Sequence, residues 1–186
     1  MLAPKGGHIE LITGTMYAGK TSELIRRLNR FRYANYKVMM FTLDGRFDKQ
    51  TKSHDGISIK SYFIEPGDRR SPNSVRETIK QLNPDVVAFD EIQFLDPSYV
   101  PFFKELALEG KKVIVAGLEQ DFRCGPFETT TLAFLEAEFV KKLNAVCSCG
   151  NLAIRNYRKI DSDKIELEGA EDIYEAKYRE CYEKLK

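Results

Sequence analysis

Residues 14–21 read G-T-M-Y-A-G-K-T, and an apolar run over residues 8–13 leads straight into them. No other stretch constrains the fold as strongly. Glycines at Gly14 and Gly19 let the backbone wrap closely, so that successive N–H groups from Thr15, Met16, Tyr17 and Ala18 face phosphate oxygens. Lys20 brings a positive charge to the β and γ phosphates, and the Thr21 hydroxyl is a ligand for Mg²⁺. Downstream, Leu24, Ile25, Leu28 and Phe31 recur at helical spacing. A strand, a phosphate-binding loop and a helix therefore follow one another, which places a nucleoside triphosphate at the end of an α/β fold.

The remaining pattern extends that fold. Residues 37–43 read as a buried strand, 44–56 as a polar loop and 57–62 as an alternating strand. Asn73 is placed to cap a short helix carrying Val75, Ile79 and Leu82. The apolar run 86–89 ends at Asp90. Residues 98–109 form a helix with Pro101 in its first turn and Gly110 just past its end. A further buried strand spans 113–118, and 130–143 reads as mostly helical. Apolar strands alternating with helices imply a mainly parallel sheet flanked by helices on both faces. Ligands in such sheets gather at the carboxyl ends of the strands, where the phosphate loop, Asp90-Glu91 and residues 118–121 all fall. From residue 145 onward cysteines, tyrosines and short alternating runs replace this rhythm, so the chain divides into a nucleotide-binding domain, 1–144, and a small domain, 145–186.

Arg26, Arg27, Arg30 and Arg32 share the helix after the phosphate loop and read chiefly as its solvated face, with a specific phosphate role as the other option. Across the chain 29 basic residues balance 28 acidic ones to a net charge of +1. Such a field favours no polyanion, so nucleic acid is not an expected partner. No apolar stretch reaches membrane-spanning length, and the first dozen residues lack the arrangement of a signal peptide. A cytoplasmic protein without membrane contact is the expectation. In that setting the four cysteines point to free thiols or metal ligation in place of disulfides.

Asp90 emerges from a buried strand, where an unpaired carboxylate is costly; ligation of Mg²⁺ gives it a reason. Glu91, one residue further, is a general-base candidate. With water as acceptor the pair would serve an ATP hydrolase or nucleotide-dependent switch. With an alcohol as acceptor it would serve a kinase. The two acidic residues alone do not separate these readings.

Beyond those residues the chain resembles the type II thymidine kinases. Residues 90–95, D-E-I-Q-F-L, are similar to that family's D-E-x-Q-F-F, and Met16 matches its G-P-M-x-x-G-K-[ST] loop with Thr15 in place of proline. Asp44-Gly45-Arg46-Phe47 and Ser53-His54-Asp55 match a family loop. Residues 117–127 resemble G-L-D-x-x-F-x-x-x-P-F, with Glu119 replacing the Asp. The matches are collinear from about residue 8 to 182. The resemblance implies transfer of the ATP γ-phosphoryl group to the 5′-hydroxyl of thymidine, with Glu91 as base. ATP would be held by residues 14–21 with Ser22, Asp44, Arg46, Asp90 and Gln93, and Mg²⁺ by Thr21 and Asp90. Met16, Phe94, Leu118, Phe122, Asn156, Ile165, Leu167 and Tyr174 would surround the nucleoside, whose covering loop spans residues 151–169. Glu168-Gly169-Ala170 stands where the family has Ile-Gly-Gly. Inhibition by dTTP and a homotetramer are further implications.

The resemblance also implies a zinc site. Cys147 and Cys149 match the first ligand pair and Cys181 one of the second, but Tyr178 occupies the fourth ligand position. Either three thiolates hold Zn²⁺ with another group completing the shell, or the unit lacks metal and rests on packing of Tyr174, Tyr178 and Tyr182. Cys124 stands apart from this set.

Overall fold

The computed structural model describes residues 6–43, 51–52, 58–59, 61–160 and 173–185. In chain order its strands are β1 (His8–Gly14), β2 (Val38–Thr42), β3 (Thr51–Lys52), β4 (Ser58–Ile59), β5 (Ser61–Phe63), β6 (Val86–Phe89), β7 (Lys112–Leu118), β8 (Phe139–Leu143), β9 (Arg155–Arg158) and β10 (Tyr174–Lys177). The α-helices are α1 (Lys20–Tyr33), α2 (Asn73–Leu82), α3 (Tyr99–Leu108), α4 (Glu128–Glu136) and α5 (Arg179–Glu183). The central sheet runs β5-β2-β6-β7-β1-β8, and every neighbouring pair in it is parallel.

Successive strand side chains point to opposite faces, and each face has its own apolar cover. Leu11, Phe41, Val87, Phe89, Val113 and Val115 pack against apolar residues of α2, α3 and α4. Ile12, Met40, Ala88, Ile114 and Ala116 pack against Leu24, Ile25 and Leu28 of α1. Phe89 centres the first layer, 4.8 Å from the Phe103 ring and 5.2 Å from that of Phe41. Burial on both sides explains why these strands are continuously apolar, and it holds the carboxyl ends of β1, β6 and β7 side by side.

Four sequence expectations change. The stretch 130–143 is not mostly helical: α4 ends at Glu136, Ala137 is extended, and β8 follows, pairing Phe139 with Glu10 of β1. Glu138 secures the switch, since its carboxylate accepts the Ile9 N–H at 2.7 Å and its own N–H donates to the Ile9 carbonyl at 3.1 Å. Apolar positions alone did not separate strand from helix there; the open edge of β1 did. Residues 57–62 do not act as one strand, because β4 pairs antiparallel with β3 while β5 joins β2 in the central sheet. The loop expected over 44–56 accordingly contains β3. Asn73 is the first residue of α2, Pro72 precedes it at the cap position, and no side chain caps that end. Arg27 is half-buried, not on a solvated face: it is paired with Glu10 and with Glu23, the latter at 2.8 Å.

Past residue 144 lies a separate antiparallel pair of short strands, β9 and β10, over a core of Ala145, Cys147, Ala153 and Ala176, with Ala18, Tyr178 and Cys181 packed beside it.

Candidate active site

The phosphate loop leaves β1 at Gly14, where φ is +138° and a Cβ would lie 1.9 Å from the Leu143 carbonyl oxygen of β8. Only glycine fits so close to a neighbouring backbone. Gly19, at φ 80° and ψ 26°, opens α1 in the left-handed region. Between them Lys20 folds back, its Nζ donating to the Thr15 carbonyl at 2.8 Å. Burial pulls the Lys20 pKa down, against the opposing charges of Glu91, Asp90 and Glu119. An ammonium held this way is preorganised for anionic oxygens and poorly hydrated, so a phosphate would regain what the protein withholds. Ser22 follows in the first turn of α1, half-buried.

Asp90 ends β6 beside this loop. Thr21 Oγ1 donates to its Oδ2 at 2.7 Å and the Glu91 N–H donates to its Oδ1 at 3.0 Å. Burial, then the neighbouring charge of Glu91, push the Asp90 pKa up to about 7, with the Thr21 hydroxyl and Lys20 opposing. Thr21 and Asp90 thus present a hydroxyl and a carboxylate together, an all-oxygen donor pair suited to a hard divalent cation such as Mg²⁺. Glu91 has φ 57°, a conformation that a non-glycine residue keeps only when its surroundings enforce it. Here Gln93 does so: its Nε2 donates to Glu91 Oε2, and its Oε1 accepts the Leu118 N–H of β7 at 3.0 Å. Glu91 is only partly buried, and so is accessible to a reacting group.

The structure brings most of the expected nucleoside residues to the same end of the sheet. Met16 donates its N–H to Asn156 Oδ1 at 2.8 Å. Tyr17 OH donates to the Tyr174 carbonyl at 3.3 Å, and Ala145 N–H donates to Thr15 Oγ1 at 3.3 Å. Leu118 follows Gly117 at the end of β7, and Phe94 meets Phe127 edge-on at 6.2 Å. Phe122 is covered by the Arg158 guanidinium, 3.6 Å from its ring centre, and its carbonyl accepts the Tyr182 hydroxyl at 2.5 Å. Asp44, Arg46, Ile165 and Leu167 lie outside the described residues, as does His54.

Two participants were not anticipated. Arg158 is buried and fixes one face of Phe122. Gln120 donates to the Ile154 carbonyl at 2.5 Å and accepts from Arg155 at 3.0 Å. Gln120 lies in the 118–121 segment that the sequence places at a strand end, but nothing local marks its partners or Arg158, because the contacts span more than thirty positions.

Cys147, Cys149 and Cys181 place their sulfur atoms within 4.8 Å of one another, and this cluster is able to hold a metal ion. Burial raises the Cys147 thiol, but the N–H groups of Cys149 and Tyr178 and the two neighbouring thiols bring it down to about 6. Cys181 is pushed up to about 11, chiefly by its hydrogen bond with Cys149 and by burial. Close soft donors with one thiol readily ionised fit a thiophilic cation such as zinc.

A parallel sheet, a triphosphate loop and an adjacent Asp-Glu pair define a phosphate-loop nucleotide-binding protein. Its fold matches that of the flagellar accessory protein FlaH from Methanocaldococcus jannaschii, with a TM-score of 0.57 and 18% identity over 80% of this chain and 76% of that one. The sequence goes further. The profile of the thymidine kinase family matches residues 7–182. The chain is 41% identical over 190 residues to a thymidine kinase of Mycoplasma mycoides subsp. mycoides, covering 96% of this chain and 90% of the relative. It is 40% identical to one of Roseiflexus castenholzii over 193 residues, 96% of this chain and 95% of that protein. The chain belongs to the thymidine kinase family.

Proposed function

We propose that this protein transfers the γ-phosphoryl group of ATP to the 5′-hydroxyl of thymidine, giving dTMP and ADP. Phosphoryl transfer needs positioning and charge stabilisation more than covalent help. The loop amides and Lys20 hold the triphosphate, with Arg46 and Asp44 assigned to the reacting groups by their motif. Thr21 and Asp90 would hold Mg²⁺, whose charge would offset that building on the phosphates. Glu91 takes the proton of the attacking hydroxyl, and Gln93 aims it. The observation that carries this reading is the orientation of Glu91, left-handed at φ 57° and tethered by Gln93 across to β7.

Residues 1–144 form the nucleotide-binding domain in this reading, and 145–186 the unit that covers the nucleoside. Met16, Phe94, Leu118, Phe122, Asn156 and Tyr174 surround the base, joined by Ile165 and Leu167 on motif grounds. Covering the site excludes water, which would otherwise compete with the alcohol for the phosphoryl group. Because Met16 belongs to both the phosphate loop and the base contacts, dTTP spanning the two would inhibit. Cys147, Cys149 and Cys181 would hold Zn²⁺, and the backbone N–H of Tyr178 bonds the Cys147 sulfur. Exposed Phe134, Leu135 and Val140 on α4 and β8 support self-association, as a homotetramer. No helix among the described residues is long and apolar enough to cross a membrane.

The test is an acceptor screen: protein, ATP and Mg²⁺ with each nucleoside in turn, reading new monophosphate against ADP formed without acceptor. Thymidine should yield dTMP well above background ADP. ADP formed equally fast without any nucleoside would return the reading to a hydrolase.

A further inference from the structure

Cys147 and Cys149 lie in the turn before β9, and Cys181 lies in α5. Their sulfur atoms fall within 4.8 Å of one another, and among the described residues no histidine, aspartate, glutamate or further cysteine adds a fourth ligand atom to the set. Sulfurs bound to one tetrahedral zinc stand about 3.8 Å apart, so a small contraction turns this cluster into a ligand set. Such a site takes four donors. Position 178 is where a fourth from the chain would fall. It precedes Cys181 by three residues at the start of α5, and its backbone N–H already bonds the Cys147 sulfur. A tyrosine stands there, packed against the apolar cluster of Ala145, Cys147, Ala153 and Ala176. The cluster also reaches solvent: Cys147 is buried, but Cys149 is exposed, its sulfur accepting a 3.5 Å bond from Asn151 Nδ2. Three thiolates set against a divalent cation leave one negative charge. The nearly buried Lys177 ammonium, paired with Glu175 at 3.0 Å, lies within electrostatic reach of Cys147 and Cys181 and offsets it. An incoming anion therefore meets little net repulsion.

We infer that the metal site of this chain is completed from outside it: the fourth donor is exchangeable, water in plain buffer and a small thiolate where one is supplied. The entering thiol gives its proton to solvent and forms a metal–sulfur bond, while the metal–oxygen bond to the departing water breaks. Thiolate displaces water because a thiophilic cation among soft donors favours another of the same kind. Three protein donors hold a metal less firmly than four, so the external donor contributes to how long the metal stays. This inference rests on the zinc reading given above.

The experiment uses full-length protein produced with cobalt in place of zinc, because sulfur-to-cobalt charge-transfer absorption counts the metal–sulfur bonds. Purified with a thiol-free phosphine reductant, the wild type should show the intensity of three such bonds per cobalt. Titration with mercaptoethanol should raise that intensity by about one third, as a fourth bond forms. Tyr178→Phe should behave as the wild type does. Tyr178→Cys should begin at the higher intensity, ignore added thiol and keep its metal against a chelator about tenfold longer. A wild-type spectrum that does not respond to thiol means that the chain supplies the fourth donor itself, and overturns the inference. A Tyr178→Phe spectrum that differs before thiol is added makes the phenol oxygen that donor, and overturns it equally. Should Tyr178→Cys not fold, the wild-type titration decides alone. Cobalt-loaded protein indifferent to thiol would sink this inference and leave the zinc reading standing, whereas protein that takes up neither cobalt nor zinc would sink that reading too.

Discussion

The sheet end that carries the phosphate loop and the cysteine-bearing unit beside it are held together by different physics. Under the loop, Phe89, Phe102, Phe103, Leu24 and Ile25 are essentially inaccessible to water, so apolar burial fixes the ends of β1, β6 and β7. Among the described residues of the smaller unit the buried apolar side chains are Ala145, Cys147, Ala153, Tyr174, Ala176 and Tyr182. Units with so few buried side chains commonly depend on cross-links. Three thiols in mutual reach are able to hold a metal ion, which would supply one. Hydrogen bonds from Tyr17, Asn156 and Ala145 across to or from the larger unit provide others. The contrast teaches that the phosphate-loop end rests on apolar packing, whereas the cysteine-bearing unit rests more on specific polar contacts.

That contrast is most sharply tested by removing metal. Structural zinc contributes roughly 10 kcal/mol or more of apparent binding energy in small domains. A strong chelator, or Cys147→Ser, should therefore release one equivalent of zinc and lose nucleoside binding while the helical and strand signal of the sheet persists. Protein that purifies without zinc and still binds thymidine would erase the distinction. On the packed side, Phe89→Ala should cost about 3–5 kcal/mol in denaturant unfolding, and a loss below about 1 kcal/mol would mean that the frame is not packing-limited. Glu91→Gln should leave the melting temperature and ATP affinity intact and lower kcat about a hundredfold or more. Unchanged turnover would remove Glu91 from the base role.

The smallest expected effect lies on α1. The hydrogen bond from Arg26, with Arg27 nearby, lowers the Glu23 pKa from 4.5 to about 2. Because the folded value is depressed, the associated stability is present above about 4.5 and disappears as pH falls through 2. The pair is solvent-screened, so Glu23→Gln should cost about 0.5 kcal/mol near neutrality and nothing near pH 2. A pH-independent difference would refute the electrostatic origin.

Much of the catalytic end was legible in the sequence because its requirements are local. The residues from Gly14 to Thr21 form one contiguous motif, and Lys20, Thr21, Asp90 and Glu91 sit directly at or beside strand or helix ends. The Thr21–Asp90 contact, at 2.7 Å across 69 residues, was anticipated only because two local signals converge on one cation. The strand β8 was not legible: Phe139, Val140 and Leu143 suit either element, and pairing with β1 chose between them. The burial of Arg27 against Glu10 was equally hidden.

By itself, then, the sequence determined the triphosphate loop with its flanking strand and helix, the alternation of buried strands and helices around it and the identity of the charged groups beside it. Periodic apolar burial and special backbone angles are written within a few consecutive residues. The tertiary structure alone decided that Asn156 meets Met16 and Gln120 and that Arg158 covers Phe122. Those contacts join residues far apart in the chain, and only the packing of the sheet against the smaller unit brings them within reach.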